Sequence, residues 1–80
     1  MLYPNPVSAN RLVSIELGRP TEQVDVELFD ASGRRVQSMR QDVAGQRFVG
    51  MELSDLASGL YFVRVEGDSW ETHHRLQIIR

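Results

Sequence analysis

The stretch Ser54-Asp-Leu-Ala-Ser-Gly-Leu-Tyr-Phe-Val-Arg-Val65 constrains this chain most, because turn chemistry runs directly into its strongest strand. Asp55, Ser58 and Gly59 can turn the backbone, by local side-chain hydrogen bonds or by a glycine free to take positive φ. Leu60 to Val65 are leucine, aromatic or β-branched apart from Arg64, which favours a pleated strand. Side chains alternate across such a strand, so Tyr61, Val63 and Val65 share one face and Leu60, Phe62, Arg64 and Glu66 the other. The second face ends in charge, which assigns the tyrosine and the two valines to a core. The spacing Leu56, Gly59, Tyr61, Val63 has the form of a tyrosine corner, in which a buried ring returns its hydroxyl to the backbone just upstream.

The remaining segments have the same period of two. Val13, Ile15 and Leu17 alternate with Ser14 and Glu16 and stop at Gly18-Arg19-Pro20. Val24, Val26 and Leu28 alternate with Asp25 and Glu27, and Asp30-Ala-Ser-Gly33 then offers an amide-accepting aspartate and a permissive glycine. Arg35 to Met39 is therefore expected to return antiparallel as a hairpin. Arg47 to Leu53 is mostly apolar but loses strict alternation near Gly50, where a bulge is expected. Glu66-Gly67-Asp68-Ser69 leads into a final strand, Trp70 to Ile79, with Leu76 and Ile78 facing inward. Pro4 and Pro6 confine the start of the chain to an edge strand or an extended lead-in. No window sustains helical periodicity, so the expected fold is an all-β, Ig-like antiparallel sandwich of about seven strands.

Eighty residues permit one domain, residues 1–80, with a small core. A net charge of -2, with 25% charged residues, gives no basic excess for nucleic acid or anionic lipid. The absence of cysteine excludes disulfides and thiolate metal sites. The first residues lack a charged segment and an apolar run of signal-peptide length, and no segment approaches the length of a membrane-spanning helix. If the protein is secreted, its export signal is expected on sequence upstream of this piece.

Catalytic chemistry is sparse. His73 and His74 are adjacent in a strand and point to opposite faces, so they cannot close on one metal ion. The carboxylates sit in turns or opposite apolar positions, and no serine lies in a nucleophile elbow. Asp30-x-Ser32-Gly33 superficially resembles the start of a calcium loop, but the later ligands are not at the required spacing. Trp70, Tyr3 and Phe29 could form a stacking platform for a sugar ring, with core or edge packing as the plainer reading. These features lead to expectations of no enzyme activity, no cofactor, no metal and a monomer.

Five motifs in register carry a resemblance. Tyr3-Pro-Asn-Pro6, Val26-Glu-Leu-Phe-Asp-Ala-Ser-Gly-Arg34, Leu53-Ser-Asp-Leu56, Gly59-Leu-Tyr-Phe-Val-Arg64 and Leu76-Gln-Ile-Ile-Arg80 together resemble the type IX secretion system C-terminal sorting domain over nearly the whole chain. The family's final strand often carries lysine where this chain has His74, Arg75 and Arg80. The resemblance implies a noncatalytic sandwich at the end of a Bacteroidota cargo protein, which passes through the periplasm to the outer-membrane surface or the medium. Its implied partners are the secretion machinery, a surface signal peptidase cutting before Tyr3, and an N-terminal cargo domain. It also implies that the machinery reads Ile78, Ile79 and Arg80 with the exposed surface of Gly59, Leu60, Phe62 and Arg64, while Asp30, Gly33, Asp55, Gly59 and Tyr61 shape the turns and corner. The alternative is an accessory carbohydrate-binding or adhesion sandwich that stays attached to a secreted enzyme.

Overall fold

The alternation of apolar and polar residues is realised as eight strands in a computed structural model that describes residues 2–3, 5–8 and 11–80. They are β1 (Leu2–Tyr3), β2 (Val7–Ser8), β3 (Leu12–Glu16), β4 (Gln23–Phe29), β5 (Arg35–Asp42), β6 (Phe48–Glu52), β7 (Gly59–Glu66) and β8 (Glu71–Ile79). One sheet has three strands in the order β1-β3-β6, and the other has five in the order β2-β8-β7-β4-β5. The strand that follows the corner, β7, is thus the middle strand of the larger sheet.

Alternate apolar residues of the strands face inward, as period-two side-chain geometry requires, with β5 supplying only the partly buried Val36 and Met39. Val13, Ile15, Val49 and Met51 from the smaller sheet meet Val24, Val26, Leu28, Tyr61, Val63, Val65, Leu76 and Ile78 from the larger one in a single cluster. Tyr61 is buried, and its hydroxyl donates to the Ala57 carbonyl at 2.7 Å, so the tyrosine corner is present. At the hairpin between β4 and β5, Gly33 has φ +89°, and the Asp30 carboxylate accepts the Ser32 and Arg34 amides at 3.0 Å each. The strand after this turn runs on to Asp42, beyond the expected Met39.

Three expectations need correction. The sheet is not wholly antiparallel, because β2 runs parallel to β8, pairing Val7 with Ile78 and Ser8 with Ile79. The proline-bearing start lies at sheet edges as expected, but as two strands in different sheets and not one: β1 pairs with β3 and β2 joins β8, with a cis Asn5-Pro6 peptide between them. That division also accounts for eight strands where about seven were expected. The bulge expected at Gly50 is absent, since β3 and β6 pair continuously from Leu12 opposite Glu52 to Glu16 opposite Phe48. Gly50 instead makes room for Leu12, whose Cδ1 lies 3.2 Å from where a Cβ would stand. The register shift occurs in β4 between Leu28 and Phe29, where Val36 of β5 is the additional residue.

Candidate functional site

The outer face of the five-stranded sheet is divided between charge and apolar surface, and cross-strand register creates the division. Toward one end, Asp25 and Glu27 of β4 face Arg40 and Arg35 of β5 and Arg64 of β7. Arg40 holds Asp25 through Nε and Nη2 at 2.8 and 3.3 Å, which lowers the Asp25 pKa and raises that of Arg40. Glu27 lies between two guanidinium groups, 2.9 Å from Arg35 and 3.0 Å from Arg64. Arg64 also reaches Glu66 at 3.7 Å and Glu71 at 3.9 Å. The arginines and Asp25 reach solvent while Glu27 is largely covered between its two partners, and exposed pairs of this kind contribute little, so the network sets the surface pattern more than it adds stability.

Toward the other end, the outward positions are apolar. Phe29 of β4 is directly opposite Phe62 of β7, Leu60 follows two residues earlier on β7, and Ile79 of β8 sits diagonally from Leu60 because Leu60 pairs with Gln77. Leu60, Phe62 and Ile79 are 38%, 41% and 51% exposed, a cluster of large apolar side chains that one isolated exposed residue would not make. Arg75, opposite Phe62 on β8, borders this cluster. Among the described residues it has no ion pair, unlike Arg35, Arg40 and Arg64.

The sequence-derived recognition residues therefore separate into distinct groups. Leu60, Phe62 and Ile79 come together on the apolar end of the face, and Arg64 belongs to the charged network beside it. Ile78 points the opposite way and is fully buried, because neighbouring residues in a strand face opposite sides. In the folded domain it anchors β8 and has no surface to offer a partner. Gly59 begins β7 at φ +156°, beside the corner. Arg80 closes the structure, its amide donating to Ser58 Oγ at 2.8 Å and its guanidinium 3.2 Å from Asp55. Asp55 and Ser58, expected to turn the corner by local bonds, thus hold the last residue to it.

From the sequence, Phe29 is a candidate member of an aromatic platform with Trp70 and Tyr3, or a core or edge residue. The structure disperses those three. Trp70 packs over Gly67 at the far end of the larger sheet, and Tyr3 lies on the smaller sheet with its ring 6.3 Å from Phe48 at 42°. No coplanar stacking surface results. His73 and His74 also diverge as expected: His73 lies 2.7 Å from Glu71, while half-buried His74 meets Thr72 at 3.1 Å. Burial first, and nearby positive charge second, lower the His74 pKa. The Asp30 carboxylate accepts from the Ser32 hydroxyl at 2.6 Å and from two amides, with Arg34 3.4 Å away, which together lower its pKa. Among the described residues, no three His, Cys, Asp or Glu side chains gather as a metal site. No helix is long and apolar enough to cross a membrane.

The profile of the family described as the secretion system C-terminal sorting domain matches residues 1–79. The chain belongs to that family. Its type IX sorting role accords with the five motifs in register, and family membership implies interaction with the secretion machinery and export to the cell surface or beyond. The sorting domain is also similar to a solved structure, the crystal structure of CopC from Methylosinus trichosporium OB3b. The two share 19% identity, with a TM-score of 0.67 over 98% of this chain and 89% of that one, a likeness of fold alone. No individually curated protein matches the sorting domain significantly.

Proposed function

We propose that this sorting domain is a noncatalytic address carried at the end of a secreted cargo protein, which the type IX machinery takes from the periplasm across the outer membrane. The match over residues 1–79 carries this reading. We place the recognition surface at the apolar end of the outer face, on Leu60, Phe62 and Ile79, with Gly59, Arg64 and Arg80 at its border and Ile78 holding β8 from within. Such a surface depends on register between β7 and β8, so it is assembled only in the folded domain. A machine that reads it can distinguish finished cargo from unfolded chains. The surface peptidase acts upstream of Tyr3, and the cargo is then attached to the surface or released.

The test fuses a signal peptide and a reporter to this domain in a type IX-competent host. The intact fusion should reach the surface or medium, whereas Leu60→Ser with Phe62→Ser should leave a folded reporter in the periplasm. Deletion of Ile79 and Arg80 should do the same, once its melting curve is shown to be near native. Retention of the intact fusion would refute the sorting role. Export of both folded variants at the intact level would refute only the proposed surface.

A further inference from the structure

The two edges of β8 differ. On one side all of Glu71 to Ile78 pairs with β7, from Glu66 to Gly59. On the other, the strand is covered only near its end. There, Val7 and Ser8 pair with Ile78 and Ile79, and the Asn5 side chain brackets Leu76, its Nδ2 donating to the Arg75 carbonyl at 2.9 Å and its Oδ1 accepting the Gln77 amide at 3.0 Å. Among the described residues, no strand pairs with Glu71 to His74 on this side. A long strand thus has an open edge at its start and a short clasp, Asn5 to Ser8, at its end.

We propose that this edge of β8 is a strand-docking site, at which an extended segment of a partner polypeptide pairs with Glu71 to His74 and then displaces the clasp from Arg75 to Ile79. The nature of the occupant follows from what already occupies the slot. Open strand edges present unpaired amides and carbonyls, which another extended chain satisfies. The clasp shows that the end of this edge accepts a parallel strand with an apolar residue beside Ile78, since Val7 is only 2% exposed there. A partner strand of matching pattern would replace Val7 with its own apolar side chain and satisfy more of the edge than two paired residues can. The open segment is where it would first engage. This inference rests on the sorting role, because displacement would join a partner to the strand that carries Ile79, and would do so by releasing the segment on the cargo side of the domain.

Three measurements test it. The Gln77 amide points to Asn5, so its hydrogen exchange reports clasp opening directly. In this chain it should exchange at least about tenfold faster than the Val63 and Val65 amides of the middle strand, which open only with larger unfolding. Asn5→Ala should widen that difference, with Val63 and Val65 little changed. Equal exchange of Gln77 and Val63 would overturn the inference, because the clasp would then open only when the domain unfolds. The second measurement uses a lock. Val7 and Ile78 are register partners on neighbouring strands, whose main chains lie about 5 Å apart and so within reach of a disulfide, and the chain has no cysteine of its own to interfere. In the export assay, Val7→Cys with Ile78→Cys, its fold checked by melting, should reach the surface when reduced and fall at least about tenfold when oxidised, while Asn5→Ala is exported at the parent level. Equal export of the verified oxidised form would overturn this inference and leave the sorting role standing. Retention of the parent fusion would refute the sorting role, and with it this use of the edge. Sedimentation of the isolated chain completes the test: a dimer that the lock abolishes would assign the edge to a second copy and overturn a foreign partner.

Discussion

Replacing Tyr61 with phenylalanine removes one oxygen from the corner and keeps the ring, so it isolates the hydrogen bond around which the fold turns. That oxygen donates to the Ala57 carbonyl at 2.7 Å from a side chain only 6% exposed. A net intramolecular hydrogen bond contributes about 1 kcal/mol, and leaving the carbonyl partly unpaired adds to the loss, for a total of about 1.5 kcal/mol. In a chain of this length each kcal/mol corresponds to roughly 4–8 °C, so the melting temperature should fall by roughly 6–12 °C. Denaturant titration should show a lower midpoint with an unchanged slope, because the surface exposed on unfolding is the same. Tyr3→Phe is the control: its ring is 37% exposed, and the change should be within about 0.5 kcal/mol of neutral. Tyr61→Ala removes the ring as well and should cost about 3–5 kcal/mol, comparable with the whole stability of a small domain. A Tyr61→Phe protein that melts within the Tyr3→Phe range would refute the reasoning, since the corner bond would then contribute nothing beyond the buried ring.

Other consequences can be checked with the same equipment. Gly33→Val should lower stability by about 1–3 kcal/mol in thermal melts, because φ is +89° and a β-branched residue is strained there even though a Cβ would meet nothing within 4 Å. Gly33→Asn, which tolerates the left-handed region better, should recover much of that loss. Gly67→Ala should displace the chain's single tryptophan, because a Cβ would fall 2.5 Å from Trp70 Cε2. The cost should be about 1–3 kcal/mol, with a red-shifted indole emission as the readout. For pH, burial holds His74 below its ordinary 6.5, so the unfolded chain takes up the proton first and the His74 contribution, complete above that value, is lost as pH falls through it. His74→Gln should therefore flatten the melting temperature between about pH 7 and pH 5. The loss at lower pH should remain, because Asp25 and Asp30 have pKa values lowered from 3.8 and stabilise the fold above their unfolded values.

What the sequence by itself determined is the set of features that local geometry controls. Strand alternation places Val24, Val26 and Leu28, or Tyr61, Val63 and Val65, on one face whatever the neighbouring strand is, so the core residues could be read in advance. The corner joins residues four apart, and the Asp30 turn closes within five, so each carries its own signature. The motifs in register identified the family for the same reason, being contiguous stretches of chain. Tertiary structure alone decided which strands are neighbours. The facing of Phe29 and Phe62, and the diagonal placement of Ile79 beside Leu60, depend on pairing between segments far apart in sequence. Asn5 reaches residues 70 and 72 positions away, and no local pattern marks an asparagine for that task. The parallel pairing of β2 was hidden for a related reason: two residues just after Pro6 show no readable period, and the direction in which they join a sheet is set by the strand they meet. Gly50 misled in the opposite sense, since an interruption of apolar side chains resembles an interrupted ladder, and only the position of Leu12 across the strand shows that the backbone continues.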